Sequence, residues 1–288
     1  MTIETVSTNV AFGGVQGVYR HASAATGTDM TFSVYVPPHE KGAVLPIVWF
    51  LSGLTCTHAN VTEKGEFRRA CAELGLIFIA PDTSPRGEGV PDDAEAAYDF
   101  GLGAGFYVDA TQAPFDQHYR MRDYIENELP AIISAHFPAD MQRQAIMGHS
   151  MGGGATMLAA ANNTSIAGIV GLAPAETNPT AIGVCPNITV PALIFSGSSD
   201  GVTPPAQNHL PMYQGIASTC KSFVSITGGA HCYFANSNFN CDFGEGTSSQ
   251  GISISRTEQQ EKTFWLLDPW LQYVLGSDCF ALTDFQWK

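Results

Sequence analysis

The chain has 288 residues, 44% of them hydrophobic, and a formal net charge of −14. A surplus of carboxylates opposes binding to phosphate backbones and anionic lipid, which both need clustered Lys and Arg, so nucleic acid and membrane surfaces are excluded as partners. The length suits one α/β domain over residues 1–288 with a substantial core.

In chain order, residues 31–36 alternate as a strand that ends at Pro37-Pro38. Residues 45–51 (LPIVWFL) form a continuous apolar run, the pattern of a central strand buried on both faces. Residues 63–74 have helical spacing through Phe67, Ala70, Cys71 and Leu74, with Gly75 as the stop, and 76–80 (LIFIA) is the next buried strand. Residues 81–117 are dense in Gly and Pro, and a loop that long in a compact domain is usually functional. An amphipathic helix is expected over 119–137, kinked or broken at Pro130. A short buried strand, 144–147, precedes a helix over 151–162 that is rich in Ala, Leu and Met. Strands at 166–172, 190–195 and 221–226, a helix at 207–218, a polar glycine-rich loop at 236–255 and a terminal helix at 256–275 complete the order. Such alternation implies a mostly parallel central sheet with helices on both faces, and in these sheets the ligand site lies beyond the carboxyl ends of the strands.

Gly148-His149-Ser150-Met151-Gly152 matches the G-x-S-x-G nucleophile elbow, a sharp strand-to-helix turn that exposes a serine, and its flanks have the required strand and helix character. A second match at Gly197-Ser198-Ser199-Asp200-Gly201 runs into Pro204 and Pro205, which prevent a helix from starting after Ser199. A serine nucleophile needs a base, and the base needs an acid that fixes its tautomer. In this fold class they follow in the order Ser, Asp or Glu, His. Asp200, at the end of one strand, and His231, just after the next, fit that order; His209, His118, His136 and His149 are weaker candidates for the base. Backbone N–H groups of Met151 and Leu54 are the expected oxyanion donors, one following the serine and one from the loop after residues 45–51.

The ten residues MTIETVSTNV lack the basic and apolar regions of a signal peptide, so a soluble cytoplasmic chain is expected. Seven cysteines, Cys56, Cys71, Cys185, Cys220, Cys232, Cys241 and Cys279, leave at least one thiol free. They form no C-x-x-C pair, and neither a metal nor an organic cofactor is expected. A Cys232–Cys241 bridge is open on spacing alone, as is self-association into a homodimer.

The runs WFLSGLTCTHAN, APDTSPRGEGVPDDAEAAYDFGLGAGFYVDAT, HYRMRDYIENELPAI and MGHSMGG closely resemble the S-formylglutathione hydrolase, or esterase D, family of α/β-hydrolases. The resemblance extends to about Gly153. It implies a cytoplasmic serine esterase and thioesterase that hydrolyses S-formylglutathione, with Ser150 as nucleophile and Leu54 and Met151 as oxyanion donors. It also implies that Cys56 is a cysteine near the active site whose modification can block activity. After Gly153 the runs GLAPAETNP, VPALIFSGSSDGVTPPAQNHLPMY and ITGGAHCYFAN are similar instead to secreted bacterial α/β-hydrolases related to cutinases and polyester hydrolases, a resemblance that also assigns Asp200 and His231. A chain that joins two hydrolase halves at or near the Ser150 elbow is therefore expected, with its triad intact and its substrate a small-molecule ester or thioester.

Overall fold

The computed structural model describes residues 2–95 and 97–276. One nine-stranded sheet runs in the order β1-β2-β3-β5-β4-β6-β7-β8-β9. An antiparallel edge of β1 (Glu4–Ala11), β2 (Gly14–Ala22) and β3 (Asp29–Val36) joins β5 (Ile77–Pro81). From β5 onward β4 (Leu45–Leu51), β6 (Ala139–His149), β7 (Ile166–Leu172), β8 (Ala192–Gly197) and β9 (Lys221–Ile226) pair in parallel. The hairpin of β1 and β2 has no counterpart among the strands expected from sequence. β1 is exposed along nearly its whole length and so carries no alternating apolar signal.

The central strands read as unbroken apolar runs because each serves two cores at once. Successive side chains point to opposite faces. Ile47, Trp49 and Leu51 join one buried cluster, and Val48 and Phe50 join the other. Ile146, Ile169 and Ile194 likewise face the first, while Met147, Val170 and Phe195 face the second.

The helices that cover the sheet depart from expectation where glycine and proline intervene. The helix expected over 63–74 is two, α1 (His58–Lys64) and α2 (Arg68–Leu74), with Gly65 as the C-cap of the first. Gly75 ends α2 at φ 68°, the left-handed conformation that glycine adopts without cost. The helix expected over 119–137 comprises α3 (Met121–Asp123), a π-turn (Tyr124–Glu128) and α4 (Leu129–His136). Pro130 lacks the N–H that a regular turn would use, and the Leu129 N–H donates to Tyr124 O instead. The helix α5 (Met151–Asn162) has its expected bounds; α6 (Ala181–Val184) and α7 (His209–Gly215) are short. The tract expected as a loop over 236–255 contains α8 (Phe239–Ser248), capped by the Asn238 side chain, and α9 (Arg256–Leu275) closes the second core. Among the described residues no helix is long and apolar enough to cross a membrane.

Candidate active site

Ser150 stands between β6 and α5 with φ 57° and ψ −123°. Backbone this unusual for an L residue costs about 1–3 kcal/mol and persists only where its surroundings over-determine it. Here its N–H donates to Leu172 O at 3.1 Å, and its carbonyl accepts from Gly153 and Ala175 at 2.9 Å each. The two motif glycines are required by close approach. A Cβ on Gly152 would lie 1.9 Å from the Leu51 carbonyl oxygen, and one on Gly148 would lie 2.2 Å from that of Gly152.

Asp200 and His231 come together just beyond the carboxyl ends of β8 and β9. His231 Nδ1 lies 2.9 Å from Asp200 Oδ2, with both residues buried. A carboxylate acceptor at Nδ1 holds the proton there and leaves Nε2 free to act as a base. Asp200 is fixed in turn by Thr203, whose N–H donates to Oδ1 at 2.8 Å and whose hydroxyl lies 2.9 Å from Oδ2. Burial pushes the Asp200 carboxyl up, but the hydrogen bond and charge of His231 outweigh it and hold the group below its ordinary value.

Two further histidines surround this pair. His149 Nε2 lies 2.9 Å from the His231 carbonyl oxygen, and the two rings are 4.6 Å apart. Burial, then the neighbouring His231, push His149 down to about 3. It is therefore neutral and donates to that carbonyl, which steadies the His231 backbone. His209, weighed as a weaker base from sequence, reaches Ser196 Oγ at 2.8 Å and Thr203 Oγ1 at 3.0 Å. Burial pushes it down to about 4, so its 3.8 Å approach to Asp200 Oδ2 is no ion pair at neutral pH.

The loop after β4 packs against the elbow so closely that a Cβ on Gly53 would lie 2.9 Å from Ser150 Cβ. The N–H groups of Thr55, Cys56 and Gly153 are engaged by backbone carbonyls, whereas those of Leu54 and Met151 have no such acceptor among the described residues. The long segment 81–117 braces this loop. The Tyr107 hydroxyl donates to Ser52 O at 2.9 Å, Gly103 O accepts from Thr55 N–H at 2.7 Å, and Arg86 Nη2 donates to Cys56 O at 3.1 Å. The Cys56 thiol is pushed up to about 11, chiefly by burial, and is neutral at ordinary pH.

Ser150, Met151, Leu54, Cys56, His149 and His231 all line one cavity of about 830 Å³. Among the described residues the Ser150 hydroxyl makes no hydrogen bond with His231, and catalytic contacts are often loose in ligand-free proteins. Ser199 of the second motif lies outside the site and donates to Gly251 O at 2.9 Å. Cys232 and Cys241 form a disulfide with a Cα separation of 5.8 Å. Cys56, Cys71, Cys185 and Cys220 are free, and Cys279 lies outside the described residues. No cluster of three or more His, Cys, Asp or Glu side chains among the described residues is arranged to hold a metal ion.

Residues 23–214 match a protein-family model described as putative esterase. The chain belongs to this esterase family. An S-formylglutathione hydrolase from Paracoccus denitrificans is 55% identical to this chain over 153 residues, 53% of this chain and 54% of the relative. The mouse S-formylglutathione hydrolase is 45% identical over 163 residues, 57% of each chain. The chain thus spans about half the length of the curated relatives it matches. The solved structure of an S-formylglutathione hydrolase from Agrobacterium tumefaciens superposes with a TM-score of 0.73 at 38% identity, covering 84% of this chain and 96% of that one. The sheet order, the elbow and this likeness make the fold an α/β-hydrolase.

Proposed function

We propose that this protein is a serine carboxylesterase and thioesterase. Ser150 Oγ attacks the acyl carbon while His231 Nε2 takes its proton, and the N–H groups of Leu54 and Met151 receive the oxyanion. Collapse breaks the bond to the leaving alcohol or thiol, to which His231 returns the proton. Water, deprotonated by His231, then releases the acid and restores Ser150. Asp200 holds His231 in the required tautomer throughout. The observation that carries the reading is the buried Asp200–His231 pair, 2.9 Å apart, beside a serine whose φ of 57° is held by its surroundings.

Hydrolysis of S-formylglutathione is the second reading, favoured by the relatives that carry that name. It would set the chain in the cytoplasm, as expected from sequence, although the Cys232–Cys241 bridge is of a kind retained in oxidising compartments. A turnover panel of p-nitrophenyl esters, S-formylglutathione and a soluble polyester fragment, run beside His231→Ala, tests both. The serine-esterase reading expects at least one ester or thioester to be turned over and the variant to lose about 10³-fold or more in kcat. Equal rates for wild type and variant would overturn it.

A further inference from the structure

The cavity under Ser150 is far larger than a formyl group needs, and its shape follows from strand geometry. Along β4, Val48, Phe50 and Ser52 all line it, as do Phe78 of β5, Met147 of β6 and Leu172 of β7. Alternate residues of a strand share a face, so these side chains form an apolar floor running down the sheet from its carboxyl edge. The facing wall contributes further apolar side chains: Val61 of α1, Ala70 and Cys71 of α2, and Phe264, Leu267 and Leu271 of α9. From Ser52 to Val48 the floor is about 13 Å deep at roughly 3.3 Å per residue.

The charges on the wall are few. Lys64 is its one Lys or Arg among the described residues, and Glu66 and Asp268 also line it. A leaving group with two carboxylates has little positive charge there to meet it, whereas hydrocarbon meets the apolar side chains of the floor and of α1, α2 and α9. The mouth carries exposed rings as well, with Tyr98 and Phe243 at 71% and 67% exposure.

We propose that this cavity is an acyl chamber and that the site prefers esters or thioesters of linear medium-chain fatty acids, about six to ten carbons long. The inference rests on the serine-esterase reading above and names the substrate class for it. An extended hydrocarbon advances about 1.3 Å per bond, so a chamber about 13 Å deep accommodates about ten carbons. Each methylene moved from water onto such a wall strengthens binding by about fourfold, until the floor at Val48 is reached.

The test is a chain-length series of p-nitrophenyl acetate, hexanoate, octanoate, decanoate and palmitate, with fluorophosphonate labelling of Ser150 recorded on the same preparation. The expected kcat/KM rises at least tenfold from acetate to octanoate and falls again at palmitate. Ala70→Phe, which adds a ring to the chamber wall, should lower the octanoate-to-acetate ratio at least tenfold. A wild-type optimum at acetate, or an unchanged ratio in the variant, would overturn the chamber while leaving the serine esterase standing. Should Ala70→Phe fail to fold, the wild-type series decides. Absent labelling and absent turnover would instead sink the esterase reading. In that case calorimetry of octanoate against acetate on Ser150→Ala still decides the chamber, which expects octanoate to bind at least tenfold tighter and is contradicted by equal affinities.

Discussion

Thr203 brings a single hydroxyl proton to a crowded position, with Asp200 Oδ2, His209 Nε2 and His231 Nδ1 at 2.9, 3.0 and 2.8 Å. One proton makes one donated bond, so Thr203 donates to Asp200 and accepts from His209 Nε2, while the single His231 Nδ1 proton is given to Asp200. Asp200 is thereby aimed at His231 from behind. Thr203→Val should lower kcat on a p-nitrophenyl ester about tenfold with KM nearly unchanged, since about 1.4 kcal/mol is a factor of ten. Thr203→Ser should stay within about threefold of wild type, and a Val variant as active as wild type would exclude the positioning role. The buried histidines also govern acid stability. His149 and His209 are held neutral at about 3 and about 4, below the ordinary value of 6.5, so between those values the unfolded chain binds more protons than the folded one. Stability must then rise with pH in that window and fall on acidification from about pH 6.5 towards 4. The depressed Asp200 carboxyl acts in the same direction, because its contribution is lost as pH falls through the carboxylate range. Thermal melts at pH 7.5, 5.5 and 4.5 should show a falling Tm, with a shallower fall in His209→Gln; a flat profile would contradict it.

Ser150, Asp200 and His231 could be proposed as the site from sequence because the elbow is a local motif and the other two close consecutive strands. Thr203, three residues after Asp200, had a readable capping position but no motif to recommend it. Tyr107 could not have been found: its partner, Ser52, follows β4, 55 residues earlier, and meets it only in the folded chain.

At the level of elements, tertiary contacts decided where propensity failed. The helix expected over 63–74 breaks ahead of Phe67, whose ring stacks on Phe78 with centroids 3.9 Å apart, so the break serves the second core. The glycine-rich tract 236–255 holds a helix because long-range ties fix it. Cys241 is bonded to Cys232, Arg256 pairs with Asp242 at 2.5 Å, and the buried Glu245 accepts from the Cys232 N–H at 2.5 Å. Cys232 directly follows His231, so α8 and the candidate base share one anchor. Reduction with dithiothreitol, or a Cys232→Ser/Cys241→Ser variant, should cost about 2 kcal/mol of stability. Urea unfolding with and without reductant measures this, and ester turnover should fall with it. Unchanged unfolding on reduction would show that the bridge does not hold α8.

At the level of the whole molecule, the segments before and after Ser150 meet along the β6–β7 ladder, where Gly148 pairs with Gly171 and His149 with Leu172. Ser150 and Leu54 lie on one side of that ladder in sequence, and Asp200 and His231 on the other. The proposed site therefore exists only when both segments fold into one sheet. The fold was legible because β4, β5, β7 and β8 carry continuous apolar runs. The cavity was not, because its floor and roof come from strands and helices far apart in the chain. The same dependence on both segments makes the serine itself the place to test the reading. Wild type and Ser150→Ala should be treated with a fluorophosphonate and followed by intact mass. A single adduct forming on wild type, mapped to Ser150 and absent from the variant, is the expected result; wild type that reacts no faster than Ser150→Ala would contradict it.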